Sequence, residues 1–380
     1  VHVATALPLK GLSRFFGWFN ELTLPMWLRR PGLTLYATIF GCNLEEMADP
    51  DLTHYDNLAE FFYRELKKDA RPIDDALIVS PSDGRVLHFG AVVGRQVEQV
   101  KGVTYDLDAF LGTQMAQMPR KLQQVLSDTH ASNVASHREF ANINGIQYTL
   151  DELLSGAERV STESTNGEPE VKALGSGEMA DRVAGDGTIM PQSEAASAHE
   201  HVLSHMQPGN RLYYCVIYLA PGDYHRFHSP TNWVVHGRRH VAGELYSVSP
   251  YMAGILKDLF VLNERVVLLG RWKHGFFSMS PVGATNVGSI RINFDQPLET
   301  NKAERRLPHG TYTEASYASF SPLLGGRPTR AGEEIGGFRL GSTVVLVFEA
   351  PKSFEFALER NQRIKLGQSL GHLKEEPMEP

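Results

Sequence analysis

Two stretches of the 380-residue sequence hold side chains that transfer protons. Residues 80–85 read SPSDGR, with Asp83 in a turn between proline and glycine, and residues 218–230 read YLAPGDYHRFHSP, with His225 and His228 three positions apart. Imidazole is the side chain best suited to proton transfer near neutral pH. Alone, Asp83 is better explained as a turn residue that caps its own backbone. The histidines are equally explained as structural residues or as a metal site that lacks a third ligand.

A third stretch supplies a hydroxyl nucleophile. Residues 336–343 read GGFRLGST, so Ser342 follows Gly341 directly. Serine is a weak nucleophile and needs an adjacent base, and Asp83, His228 and Ser342 together satisfy the inventory of a hydrolase triad. Against a hydrolase, no GxSxG elbow surrounds Ser342, and a strand rather than a helix is predicted after it.

Short apolar runs between turn residues predict strands, and these strands would position the three stretches. The predicted strands cover residues 76–79, 212–219, 265–269, 288–293 and 343–348. Two helices are predicted in the same part of the chain, one from near Thr53 through Leu66 and one over residues 252–260. The pattern predicts a mainly β, α+β catalytic domain formed by residues 46–118 and 210–380.

Residues 119–209 interrupt this pattern. They are rich in small and polar residues, with Phe140 and Tyr148 as their only aromatics, so they are predicted to be a largely disordered insertion with one possible helix over residues 150–160. Three histidines in the insertion invite a metal-site interpretation: His199, His201 and His205. No cysteine or spaced carboxylate accompanies them, so a solvated loop and no metal site is predicted.

Residues 1–45 have the composition of helices that lie on a membrane surface. Aromatic residues are interleaved with basic ones, and prolines separate two predicted short amphipathic helices. The predicted membrane contacts are Phe15, Phe16, Trp18, Phe19 and Trp27. The alternative is an ordinary core helix with basic residues at its rim.

Composition excludes several classes of protein. At 42% hydrophobic and 21% charged residues the chain can bury a real core, and its net charge of −7 does not suggest a nucleic-acid binder. Two distant cysteines give no disulfide framework or zinc spacing. The longest apolar run has nine residues, whereas a bilayer-spanning helix needs about 20.

The three stretches resemble the signatures of one family. Residues 340–343, LGST, are similar to the cleavage motif of phosphatidylserine decarboxylases, and the Asp83 and His225/His228 stretches resemble that family's other two signatures in the same order. Residues 101–105, 263–266 and 282–290 are also similar to family motifs. The resemblance spans nearly all of the chain outside the insertion and is closest to the mitochondrial branch.

The resemblance implies a proenzyme that makes its own cofactor. The Ser342 hydroxyl would attack the Gly341 carbonyl, and the resulting ester would eliminate to leave chains 1–341 and 342–380, with a pyruvoyl group at position 342. That group would form a Schiff base with phosphatidylserine and accept the electrons released as CO2 leaves. The expected product is phosphatidylethanolamine, and no metal is needed.

The family's residue roles carry over by motif. His228 would be the base for Ser342, oriented by Asp83, and His225 would contact substrate or mediate proton transfer during decarboxylation. The two chains would stay together as a heterodimer, with a homo-oligomer also possible. The resemblance implies peripheral attachment to the mitochondrial inner membrane. The rivals are a Ser/His/Asp lipid hydrolase that keeps its chain intact, and a noncatalytic lipid-binding module.

Overall fold

The computed structural model describes residues 18–100, 102–112, 123–125, 134–146, 206–284, 290–301, 311–338 and 342–374. In these ranges the helices are α1 (Met26–Phe40), α2 (Leu58–Phe62), α3 (Leu107–Leu111), α4 (Val134–Ile143), α5 (Pro250–Ala253) and α6 (Leu259–Leu262). The strands are β1 (Ile78–Val79), β2 (Gly84–Ala91), β3 (Gln96–Val100), β4 (Val103–Asp106), β5 (Gln123–Val125), β6 (Asn210–Leu219), β7 (Arg226–His228), β8 (Trp233–Val241), β9 (Arg265–Trp272), β10 (Gly275–Val282), β11 (Ile290–Ile292), β12 (Tyr312–Ser316), β13 (Arg327–Thr329), β14 (Glu334–Phe338), β15 (Ser342–Pro351), β16 (Phe354–Phe356), β17 (Arg363–Ile364) and β18 (Ser369–Leu373).

A large sheet forms the centre of the molecule, with strand order β17-β2-β6-β15-β10-β9-β8-β12-β5 and β13 paired to β8. Its pairs are antiparallel except β12 with β5. Strand β15 is buried along nearly its whole length, which agrees with its continuous apolar run, because a strand covered on both faces need not alternate. The mainly β, α+β prediction is confirmed.

A small sheet of order β11-β14-β7 carries the histidine stretch against the strand that leads to Ser342. Gly337 of β14 pairs with Arg226 on one side and with Arg291 on the other. A Cβ at Gly336 would come within 1.9 Å of the Arg291 carbonyl oxygen. Glycine therefore allows these strands to approach closely.

Helix α1 begins after Pro25, and residues 18–20 are helical ahead of it. The rest of the first of the two predicted short helices lies outside the described residues. Pro31 lies inside α1, where the lost hydrogen bond falls on an exposed part of the helix that water can solvate. Leu33 and Ala37 are buried against Met47 and Phe61. Within the described residues, no helix has the length and apolar character needed to cross a bilayer.

Two predicted helices are wrong in extent. The helix predicted from Thr53 to Leu66 is only α2, because the Asn57 side chain caps a new start and Leu66 leaves to form a β-bridge with Met47. The helix predicted over residues 252–260 is the two separate turns α5 and α6. Asp258 precedes α6 in a left-handed conformation, which interrupts any continuous helix.

Three described segments lie within the predicted insertion. Strand β5 adds to the edge of the large sheet, and α4 packs Phe140 and Ala141 with Val234 and Leu324. These parts are therefore attached to the large sheet and its core. The other residues of the insertion, including the possible helix over residues 150–160, lie outside the described residues, and its limits stay a prediction.

Candidate active site

Ser342 is the first residue of β15 and is fully buried. Its backbone pairs with Leu219 at the end of β6. Its Oγ has no hydrogen-bond partner, and the same holds for the Oγ1 of Thr343 beside it. Gly341 lies outside the described residues. A buried hydroxyl without a partner lowers the stability of the fold. Proteins tolerate such a loss of stability mainly at functional sites.

The turn that carries the histidines is bound at both ends to described residues on either side of positions 339–341. Leu219 pairs with Ser342, and the His225 carbonyl accepts a hydrogen bond from the Phe338 N–H at 2.9 Å. Asp223 closes the turn, because its carboxylate accepts the Ala220 N–H at 2.7 Å.

His225 is buried and neutral. Its Nδ1 lies 2.8 Å from the Asp223 carbonyl oxygen and must donate to it, since a carbonyl only accepts. Burial lowers the pKa of His225 to about 3. The ring packs against Phe62 with centroids 3.9 Å apart, and Nε2 has no partner. His225 therefore offers an unshared nitrogen lone pair in a dry environment.

His228 is fixed by two contacts. Its Nδ1 donates to the Gly332 carbonyl at 2.9 Å, so Nε2 carries the lone pair and accepts from the Tyr224 hydroxyl at 3.1 Å. Burial lowers the pKa of His228, while the Gly332 carbonyl, Glu334 and Asp83 act in the opposite direction. This is the tautomer that a general base needs.

Asp83 is held by Arg71 and by the backbone of the C-terminal part of the chain. Arg71 Nε and Nη2 donate to the two carboxylate oxygens at 2.8 and 2.6 Å, and the Leu366 N–H donates at 2.9 Å. Arg71 also binds Glu46 at 2.6 Å. Burial lowers the pKa of Arg71, but its bonds to these two carboxylates outweigh that effect and raise it.

Asp83 and His228 are brought together without a direct hydrogen bond between their side chains. The His228 N–H donates to the Pro81 carbonyl at 2.7 Å, which joins the two stretches through the backbone. Next to Asp83, a Cβ on Gly84 would lie 2.4 Å from the Tyr218 carbonyl oxygen, so glycine is needed for β2 to approach β6. Asp83 influences His228 through its charge.

Sequence reasoning missed Arg71, Glu46 and Tyr224. Arg71 reaches Asp83, and Glu46 reaches Arg71, only through tertiary packing, so neither gives a signal in the sequence. Tyr224 lies inside the histidine stretch, where its position one residue before His225 was a usable signal.

Helix α1 packs directly on the histidine turn. The Tyr36 hydroxyl donates to the Pro221 carbonyl at 3.2 Å, and a Cβ on Gly222 would lie 1.9 Å from the Phe40 carbonyl oxygen. Trp18, Phe19 and Trp27 are 57%, 55% and 77% exposed. An apolar exposed surface is therefore attached to the turn that carries His225.

Some predicted residues cannot be placed. Phe15 and Phe16 lie outside the described residues, as do His199, His201 and His205. In the described part of the chain, no group of three or more His, Cys, Asp or Glu side chains is arranged to hold a metal ion.

Comparison with known proteins points to one family. The family model for phosphatidylserine decarboxylase matches residues 58–127 and 125–372. The chain is 48% identical to phosphatidylserine decarboxylase proenzyme 1, mitochondrial, of Schizosaccharomyces pombe, with 98% of this chain and 82% of the relative covered. It is 46% identical to the Saccharomyces cerevisiae protein of the same name and 44% identical to the Cricetulus griseus phosphatidylserine decarboxylase proenzyme, mitochondrial, each covering 97% of this chain and 73% of the relative.

Proposed function

Because the chain belongs to the phosphatidylserine decarboxylase family, we propose that it is a proenzyme that cleaves itself and then converts phosphatidylserine to phosphatidylethanolamine and CO2. The activity is that of a carboxy-lyase of phospholipid biosynthesis. The observation that carries the proposal is Ser342, a buried serine with an unpartnered hydroxyl, in the position where the sequence resembles the family's cleavage motif.

Self-cleavage begins when the Ser342 Oγ attacks the Gly341 carbonyl carbon. The amide becomes an ester as the C–N bond breaks and the nitrogen takes up a proton. Loss of the Ser342 α-proton then expels the Gly341 carboxylate, and the dehydroalanine left at position 342 reacts with water, losing ammonia to become a pyruvoyl group. After cleavage, residue 342 would be the first residue of the smaller chain, and its buried side-chain position fits a pyruvoyl group. When present, it withdraws the electron pair released as CO2 departs.

The residue roles follow the contacts. His228 holds an Nε2 lone pair and acts as the base for Ser342, and Asp83 stabilises the protonated imidazole through its charge. His225 is the proposed contact to substrate, with its free Nε2 poised to mediate proton transfer during decarboxylation. Phe62 and the Asp223 carbonyl keep that ring in place.

The two cleavage products are proposed to remain together as a heterodimer. Strand β15 belongs to the smaller product, residues 342–380, and lies between β6 and β10 of the larger one. Its pairing with β6 extends over ten register positions. Separating the chains would expose two strand edges and an apolar strand, which is unfavourable in water.

The substrate is proposed to be taken from a membrane surface. Exposed Trp27 lies on α1, the element that contacts the histidine turn, and exposed Trp18 and Phe19 lie shortly before this helix. Phe15 and Phe16 are proposed to add to this surface. The named relatives support a mitochondrial location, and we place the chain at the inner membrane as a peripheral protein.

The test compares Ser342→Ala with the wild type and with Ser278→Ala, a control that removes another buried, unpartnered hydroxyl. The wild type and the control should split into two chains on a denaturing gel and form phosphatidylethanolamine in vesicles. Ser342→Ala should stay whole and inactive. A whole wild-type chain that cleaves lipid esters would indicate the hydrolase instead, and binding without turnover would indicate a lipid-binding module.

A further inference from the structure

Tyr224 occupies the nitrogen of His228 that should receive the Ser342 proton. Because Nδ1 is committed to the Gly332 carbonyl, Nε2 is the only basic atom of His228. The Tyr224 hydroxyl lies 3.1 Å from it and donates to it. A proton can therefore reach His228 Nε2 only if the tyrosine hydroxyl passes it on or first moves away.

The backbone connects the turn that carries Tyr224 both to His228 and to Ser342. His228 pairs with Glu334 at the start of β14, and Phe338 ends this strand. The two ends of β14 are about 14 Å apart along the strand direction. Tyr224 belongs to the turn that is tied to Ser342 through Leu219 and to Phe338 through His225.

The environment of Tyr224 suits a proton carrier that does not ionise. The side chain is buried, and burial raises the pKa of its phenol well above the usual value. A phenolate is therefore disfavoured, and a proton can be accepted only as another is released. Asp83 and Glu334 are the negative charges that stabilise the resulting imidazolium of His228, and Arg226 opposes them.

We propose that Tyr224 relays the proton from Ser342 to His228 during self-cleavage, an inference that rests on the proposed function. The Ser342 hydroxyl, which has no hydrogen-bond partner in the structure, must first turn to the Tyr224 oxygen. Its proton then moves to that oxygen as the Tyr224 proton moves to His228 Nε2. The Ser342 Oγ–Gly341 carbon bond forms in the same step, and the carbonyl π electrons move to oxygen. When the C–N bond breaks, His228 returns a proton through Tyr224 to the departing nitrogen.

The relay predicts that two protons move in the slow step. The self-cleavage rate is measured on freshly refolded or newly synthesised wild-type chain. A plot of this rate against the D2O fraction of the solvent should be curved. Tyr224→Phe should cleave about 10²-fold more slowly, within the range of general acid–base effects. Any residual cleavage by this variant should fall linearly with the D2O fraction, because one proton then moves.

The matched control is Tyr214→Phe, which removes another buried tyrosine hydroxyl that bonds a histidine, His88, at 2.7 Å. It should cleave at the wild-type rate with the same curved response. A linear wild-type response, or a Tyr224→Phe variant that cleaves as fast as the wild type, would overturn the relay while leaving self-cleavage at Ser342 intact. A wild-type chain that never cleaves would overturn the proposed function itself.

Discussion

His225 and Ser342 each keep a buried polar atom without a hydrogen-bond partner, on segments that are tied to one another. An unpaired buried group of this kind costs about 1–3 kcal/mol. Most buried polar atoms find partners, so the unpartnered atoms of His225, Ser342 and Thr343 on these paired segments mark the place where a reacting group is accommodated.

The neutral state of His225 makes the protein sensitive to acid. Its folded pKa of about 3 lies below the reference value of 6.5, so the unfolded chain binds a proton that the folded chain does not as pH falls below 6.5. The stabilisation that comes from keeping His225 neutral is fully present above pH 6.5 and is lost as the pH falls towards 3. At pH 5 the free energy of unfolding is lower by about 2 kcal/mol for this reason.

Urea unfolding of the uncleaved Ser342→Ala chain between pH 7 and 5 measures this effect. Adding His225→Gln should reduce the loss of stability by about 2 kcal/mol, since glutamine takes up no proton. His372→Gln, at an exposed position of β18, is the control. An equal loss of stability in the His225 variant and its parent would show that His225 is not held neutral.

At the residue scale, the sequence was sufficient to identify Asp83, His225, His228 and Ser342 as candidates, because each lies in a short motif bounded by turn residues. It could not identify their partners. The Gly332 carbonyl and Arg71 reach the site from distant parts of the chain, and spacing along the sequence carries no information about such contacts.

Among the structural elements, the strands followed from local pattern and the helices did not. β6, β9 and β15 coincide with short apolar runs bounded by turn residues, which is the pattern of a buried strand. The helix predicted through Leu66 failed because a tertiary β-bridge to Met47 outweighed helical periodicity. Short helices depend on packing more than on propensity.

Arg71 connects three elements at the site, and we predict that its forked geometry is required for self-cleavage. It joins Asp83 to Glu46, and Asp83 in turn binds the Leu366 N–H in the segment before β18. Lysine keeps the charge but cannot bind both carboxylate oxygens of Asp83 in the same plane. Arg71→Lys should therefore slow chain cleavage about tenfold, measured by gel over time.

The control is Arg327→Lys, which changes another arginine that binds a glutamate, Glu333, at 2.6 Å. It should cleave at the wild-type rate. Arg71→Lys cleaving as fast as this control would mean that Asp83 needs only a nearby positive charge.

For the whole molecule, an apolar exposed surface and the site share one helix. Helix α1 packs its buried residues on the core, touches the histidine turn through Tyr36, and leaves large apolar side chains exposed. Those side chains are Met26, Trp27, Leu35, Ile39 and Phe40. Arg29, a basic residue of α1, is paired with Asp56 at 2.6 Å, so we expect apolar contact to dominate membrane binding.

Vesicle flotation tests this expectation. Trp18→Ser with Trp27→Ser should weaken binding to phosphatidylserine-containing vesicles about tenfold, because interfacial binding scales with buried apolar area. Tyr251→Ser with Ile255→Ser removes two similarly exposed apolar residues from α5 and the turn after it, and should bind as the wild type does. Equal losses in both variants would mean that no particular face meets the membrane.

Intact mass of the purified protein shows whether the chain cleaves itself at Ser342 and forms a ketone there. We expect two polypeptides, residues 1–341 and 342–380, with the smaller one lacking a free amino terminus and gaining the mass of an oxime after hydroxylamine treatment. Ser342→Ala should give one mass. A single intact chain that does not react with hydroxylamine, and that still converts phosphatidylserine to phosphatidylethanolamine, would contradict the account.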